Sequence, residues 1–227
     1  MRVVGSAISV RRIHEFGVEF KAFRIAFGGD SGQFMAMPAP LQFLKTRKSI
    51  SALFLASPGP NEAQLAEILG VASRVPDHGK LTPWRFIVFK GDAGAKASES
   101  LAKLYAEKNP GSDPKRLEEE RKRLAQAPLV VAVVSRAAPH EKIPEFEQLL
   151  SAANAAMGIL LAAQAFGYGA QWTTGWIAYD ADAGNILGLT PGERFVGFVH
   201  IGTPTVPPGD RPRPALADIV TEWRPPA

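Results

Sequence analysis

Two cations and a hydroxyl stand together at Arg47, Lys48 and Ser49, with Lys45 and Ser51 beside them. Converging positive charge and a hydroxyl suit a phosphate or carboxylate. The plainer reading is a solvated helix end, where cations favour the dipole, and from this stretch alone it is the favoured one. A second group, Arg74, His78 and Lys80, lies on a segment interrupted by Pro76 and Gly79. Such loops host binding groups more often than helices do, yet a lone loop histidine is usually just a surface residue. A third group is the run Tyr168-Gly-Ala-Gln-Trp-Thr-Thr-Gly175, where Trp172 adjoins the hydroxyls of Thr173 and Thr174. A large ring beside two hydroxyls suits a planar ligand with polar edges. Arg211 and Arg213, in a proline-dense tail, form a second basic group.

Other chemistries lack their residues. The chain has no cysteine, which removes disulfides, thiolate nucleophiles and cysteine-held zinc or iron–sulfur clusters. Its four histidines, at 14, 78, 140 and 200, are scattered, so no metal site is expected. There is no phosphate-binding Walker loop, and Gly167-Tyr-Gly169 lacks the third glycine of a dinucleotide fingerprint and follows a helix. Gly29-Asp-Ser-Gly32 resembles a nucleophile elbow only superficially. If the chain is an enzyme, a bound cofactor carries the reacting atoms and the protein supplies binding and electrostatics. The net charge of +4 invites a nucleic-acid reading, but of 26 Lys and Arg against 22 Asp and Glu, five and three fall in residues 1–36. The other 191 residues are nearly neutral, without the basic stripe of a DNA binder.

The elements that must position these groups follow from periodicity. Pro144 to Gly167 reads as one long helix, with Pro144 at its first position, Glu145 and Glu147 at the positive end of the dipole and Gly167 as its stop. It is apolar on every face, which places it in a core or at a subunit interface; Ser151, Asn154 and Gln164 argue against a membrane span. Tyr168–Gly175 leaves it as a strand. Leu41–Lys48 is a short helix, and Asn61 caps another whose apolar face is Leu65, Ile68, Leu69 and Ala72. Trp84–Lys90 is a strand. Residues 92–126 are helical and charged, with a new start at Asp113-Pro114; the KRLEEERKRL segment is expected to be a solvated, mobile helix with no chemistry in it. Residues 129–135, LVVAVVS, lack alternation and read as a strand buried on both faces. Asp180 starts a short helix, Arg194–Gly202 is a strand, and Thr203–Ala227 is an extended arm whose proline density resists helix. Residues 1–36 read as an extension, disordered, targeting or regulatory, or, the favoured reading, a start placed too early ahead of Met35 or Met37. One domain is expected over 37–227, in a cytoplasmic protein, since no signal peptide begins the chain.

Four segments in order, Arg47-Lys-Ser49, Arg74 to Trp84, Gly167 to Gly175 and Gly197 to Pro204, resemble the compact FMN-dependent nitroreductase family. The resemblance spans roughly 41–224. It implies an α+β fold, with a central mixed, largely antiparallel sheet flanked by helices, a long buried central helix and an extended C-terminal arm. It also implies a homodimer with FMN at the subunit interface, and ping-pong transfer of two electrons from NADH or NADPH to a nitroaromatic, quinone or similar acceptor. By resemblance, Arg47, Lys48 and Ser49 hold the phosphate and ribityl chain. Arg74 and His78 contact FMN, in part the one seated on the other subunit. Trp172, Thr173 and Thr174 line the isoalloxazine, Arg213 and then Arg211 close on the phosphate, and Ala162–Gly167 meets the nicotinamide. Asn154 and Lys80 are candidates for the donor near the flavin's N1 and O2. Two positions depart from the family pattern. Lys48 replaces an arginine that can bind in a bidentate fork, and Thr173 stands where close relatives can carry arginine. The alternatives are another reaction on the same scaffold (enal or semialdehyde reduction, dehalogenation, flavin breakdown), a flavin-binding sensor without turnover, or a basic nucleic-acid-binding module.

Overall fold

The computed structural model describes residues 39–226, and the chain divides between Met37 and Pro38. The readings made for residues 1–36 and for His14 lie outside the described residues. Seven helices carry the described chain: α1 Ala39–Thr46, α2 Glu62–Ala72, α3 Asp92–Lys108, α4 Pro114–Lys122, α5 Glu145–Ala165, α6 Ala181–Ile186 and α7 Leu216–Ile219. Five strands, β1 Leu55–Ala56, β2 Trp84–Lys90, β3 Leu129–Ser135, β4 Gly169–Thr173 and β5 Arg194–Pro204, form the sheet between them. Their order is β1-β5-β3-β2, with β4 also paired to β5, and every one of these pairings is antiparallel.

Strand β3 explains the layering. All seven of its residues are buried, and side chains alternate across a strand. Leu129, Val131 and Val133 join α2 and α5 in one core, while Val130, Ala132 and Val134 join Leu101, Leu124 and Phe198 in the other. A strand covered on both faces has no solvent side, which is why its sequence shows no polar alternation. On the first face α2 and α5 pack so closely that a Cβ on Gly158 would stand 2.8 Å from the Cα of Ala72. Helix α2 begins with a full capping box: Asn61 accepts from the Gln64 N–H, and the Gln64 side chain accepts from the Asn61 N–H.

Three expectations need correction. Pro144 is the N-cap of α5, with extended backbone, rather than its first helical residue. Helix α5 is not buried all round: Ala152, Ala155, Ile159 and Ala163 are covered, but Phe146 is 68% exposed, and Leu150 and Asn154 share its open face. It is long and apolar enough to cross a membrane by length and composition, with half of that window buried inside the protein. The arm is not wholly extended, since Leu216–Ile219 forms one helical turn that leaves Leu216, Ile219, Val220 and Trp223 exposed.

The sheet has one irregularity close to the functional groups. Between Val133 and Val134 the register against β5 slips, so Val133 pairs Gly197 and Val134 pairs Phe195, leaving Val196 as a bulge. Gly197 adopts φ +152 there, a backbone conformation that favours glycine. The bulged Val196 carbonyl accepts the Trp172 indole N–H at 3.3 Å.

Candidate active site

The first basic group sits where α1 ends and the chain turns toward the sheet. Arg47 donates through Nη2 to Ser49 Oγ at 3.3 Å. Its Nε is buried without a partner among the described residues, an arrangement that costs free energy unless something accepts from it. The Lys48 carbonyl accepts from the Gln164 side-chain amide at the end of α5, and the Gln164 carbonyl oxygen is itself buried and unpartnered. Two polar groups of opposite sense, Arg47 Nε and Gln164 Oε1, thus have no partner among the described residues.

The C-terminal arm returns to this place. Asp210 accepts from the Arg211 backbone N–H at 2.9 Å and from Arg213 Nη2 at 3.1 Å. Its carboxyl is held below the usual range, first by that backbone bond, with further contributions from Arg213 and from the charge of Lys48. Lys48 and Arg213, more than 160 residues apart, therefore act on one carboxylate. The Arg213 side chain is exposed and reaches Asp210, three residues before it.

Trp172, Thr173 and Thr174 do not share one surface. Alternation along β4 sends Trp172 against the α2–α5 core, where its N–H is used by Val196. Thr173 and Thr174 face the opposite side and line a cavity of about 380 Å3 with Ser51, Arg123 and His200. Arg74 and His78 do not line it; both are exposed, and His78 Nδ1 lies 2.8 Å from Glu147 Oε2 on α5. Lys80 sits in a tight loop with Gly79 and Thr82, all three at positive φ, which Asp77 holds by accepting from the Leu81 and Thr82 N–H groups. Asn154 donates to the Leu150 carbonyl on the exposed face of α5.

The wall opposite Thr173 corrects the reading of α4 as a solvated helix. Glu120 has 0% exposure. It accepts twice from Arg123, at 2.5 Å each, once from Trp176 Nε1 at 3.0 Å, and pairs with Arg116 at 2.8 Å. Burial alone pushes its pKa up, but the bonds from Arg123 and Trp176 and the charges of both arginines outweigh that, so it lies below the ordinary value. The four-residue spacings of KRLEEERKRL suggest the pairs Glu118–Lys122 and Glu119–Arg123; the first forms, but Arg123 pairs with Glu120 instead. Nothing in them marked which glutamate faces inward.

His200 on β5 is 3% exposed, with Nε2 3.2 Å from Thr173 Oγ1 and Nδ1 buried without a partner among the described residues. Burial, with a further contribution from the Arg123 charge, lowers its pKa from 6.5 to about 4. The unfolded state then binds more protons than the folded one between these values, so stability falls as pH drops from about 6.5 to about 4. Up to about 3 kcal/mol is lost across that window. Urea unfolding at stepped pH should show this slope, and His200→Gln should flatten it; an unchanged slope would mean that other groups set the acid sensitivity.

Fold and site together define an α+β protein with a two-sided antiparallel sheet, a basic corner of arginine and lysine, and a polar cavity. The family model described as "Nitroreductase family" matches residues 44–203. Escherichia coli K12 "Putative NAD(P)H nitroreductase YdjA" is 34% identical over 164 residues, covering 72% of this chain and 87% of that protein. A crystal structure of a nitroreductase-like family protein from Bacillus cereus superposes with TM-score 0.70 at 21% identity, covering 84% of this chain and 99% of that one. A nitroreductase from Desulfovibrio desulfuricans, solved in complex with FMN, superposes with TM-score 0.65 at 22% identity over 84% of this chain and 100% of that one. The chain belongs to the nitroreductase family.

Proposed function

We propose that the protein is an FMN-dependent oxidoreductase that takes two electrons from NADH or NADPH and delivers them to a nitroaromatic, quinone or similar acceptor by a ping-pong mechanism. The observation that carries this reading is the Arg47 guanidinium, which donates to Ser49 while its buried Nε has no partner among the described residues. A dianionic phosphate would supply the acceptor that Arg47 Nε lacks among the described residues, and would take the place of Asp210 as the partner of Arg213. Bound FMN would supply the hydride and electron chemistry itself. The chain's own task is to hold the phosphate with Arg47, Lys48, Ser49, Arg213 and secondarily Arg211. Thr173 and Thr174 then set the polar rim, while Trp172 fixes the strand from behind.

The FMN-binding domain in this reading is residues 37–227, with residues 1–36 an extension to it. The protein works as a homodimer with FMN at the subunit interface, in the cytoplasm, without nucleic acid or membrane as partner. Support comes from the open apolar face of α5, Phe146 and Leu150, and from the arm residues Leu216 and Trp223, all exposed in the single chain. Apolar patches of this kind mark interfaces. The same arrangement puts Arg74 and His78 in reach of the partner's FMN.

The purified protein is expected to be yellow, to bleach on NADH or NADPH and to recolour on a nitroaromatic or quinone. A colourless protein that rejects added FMN refutes the reading. Arg47→Ala should remove a charged hydrogen bond worth about 1.5–3 kcal/mol, or roughly ten- to 150-fold in FMN affinity. Unchanged affinity in a flavin titration would take Arg47 out of the phosphate site.

A further inference from the structure

The cavity opposite β4 holds features that phosphate binding leaves unused. Glu120 engages Nε and Nη2 of Arg123, which leaves Nη1 beside Gly175; a Cβ added there would stand 3.3 Å from it. Gly175 thus keeps the approach to that nitrogen open. Ser51, Thr173 and Thr174 bring three hydroxyls to the same space, and His200, neutral at pH 7, lines it with Nε2 on Thr173 Oγ1. Leu53, Leu124 and Ile177 form the apolar part of the wall. Glu119, the carboxylate on the cavity rim, is exposed and turned onto Arg116, where water and salt screen it. A volume of about 380 Å3 is at the low end for ligand sites, which run about 300–1,000 Å3, and suits one ring.

We infer that this cavity is a subsite for a one-ring aromatic acid, whose carboxylate docks against Arg123 and the hydroxyls while its ring lies on Leu53, Leu124 and Ile177. On the flavin reading above, on which this assignment of role rests, the acid is the electron acceptor, and aromatic carboxylates are the preferred acceptor class. Thr173 and Thr174 then touch both the flavin's polar edge and the acceptor. Glu120, Arg116 and Trp176 are positioning residues that fix the guanidinium.

The test compares benzoate with its neutral counterpart benzamide in calorimetric titrations of the protein as purified, at pH 7. Benzoate should bind about ten- to 150-fold more tightly than benzamide, the range for one charge-assisted hydrogen bond. Arg123→Gln should bring the ratio close to one. Glu120→Gln should raise it, because Arg123 is then less neutralised; a residue with only a structural role predicts no such opposite signs. Should Arg123→Gln fail to fold, the double variant Glu120→Gln with Arg123→Gln retains a neutral amide pair and should also give a ratio near one. In turnover, para-nitrobenzoate should half-saturate the enzyme at a lower concentration than para-nitrobenzamide, and the variants should shift that preference in the same order. A wild-type ratio near one, or a ratio that Arg123→Gln leaves unchanged or Glu120→Gln lowers, overturns the assignment. A colourless protein that keeps the benzoate preference would sink the flavin reading and spare the subsite, whereas a yellow protein without the preference does the reverse.

Discussion

Glu120→Ala should lower the unfolding free energy by about 3 kcal/mol or more, the low end of the cost of removing one partner from a buried ion pair. Glu120 is fully buried and serves three donors at once, Arg123, Arg116 and the Trp176 indole. Truncation leaves a part-buried guanidinium and an indole N–H without acceptors, and each loss costs more than the net gain of the bond that was made. The neighbouring Glu119 provides the contrast. It pairs with Arg116 at 2.8 Å but its side chain is 63% exposed, so Glu119→Ala should cost less than about 1 kcal/mol. Urea unfolding of the two variants measures the difference directly. Equal, small losses would show that α4 is the solvated helix its composition suggests, and the cavity wall would lose its anchor.

The second large effect is expected at the bulge. Gly197→Ala places a Cβ 2.2 Å from Trp172 Nε1 and 2.6 Å from the Thr173 carbonyl, on a backbone at φ +152. Strain of this kind costs about 1–3 kcal/mol, and overpacking a filled site about 1–3 kcal/mol more. A loss of about 3 kcal/mol or more is therefore expected in thermal or urea unfolding. The clash falls on β4 itself, so flavin retention should drop as well, although residue 197 carries no polar side chain. Gly209→Ala, where an added Cβ meets nothing within 4 Å, should leave both unchanged. If Gly197→Ala behaves like Gly209→Ala, β4 is not held by the Trp172–Val196 contact.

Much of the fold was legible because its signals are local. The unbroken LVVAVVS run announced a strand covered on both faces, and the capping pattern at Asn61 placed the start of α2 within a residue. Asp180 as the cap of α6 was equally plain, since its side chain accepts from two backbone N–H groups only residues away. The exposed stripe of α5 was not legible: Phe146 and Leu150 are as apolar as Ile159, and only the position of the sheet decides which of them is covered. The site divides in the same way. Arg47, Lys48 and Ser49 offer cations and a hydroxyl by type and spacing, a pattern that on its own reads first as a solvated helix end. Their relation to Arg213 is a matter of where the arm returns after β5.

Residue order alone settles the inventory: no cysteine chemistry, clustered cations at both ends of the domain, hydroxyls beside Trp172, and the strands and helices that carry them. Those are properties of residue type and of periods of two or 3.6 residues, so neighbours in the chain suffice to read them. It takes the folded chain to set which side of β4 each of Trp172 and Thr173 faces, to bury Glu120 rather than Glu119, and to stand His200 beside Arg123. Burial and electrostatic partnership depend on groups far apart in the chain, brought together by a sheet whose two faces are both closed. A register slip of one residue at Val196 is enough to change which side chains meet.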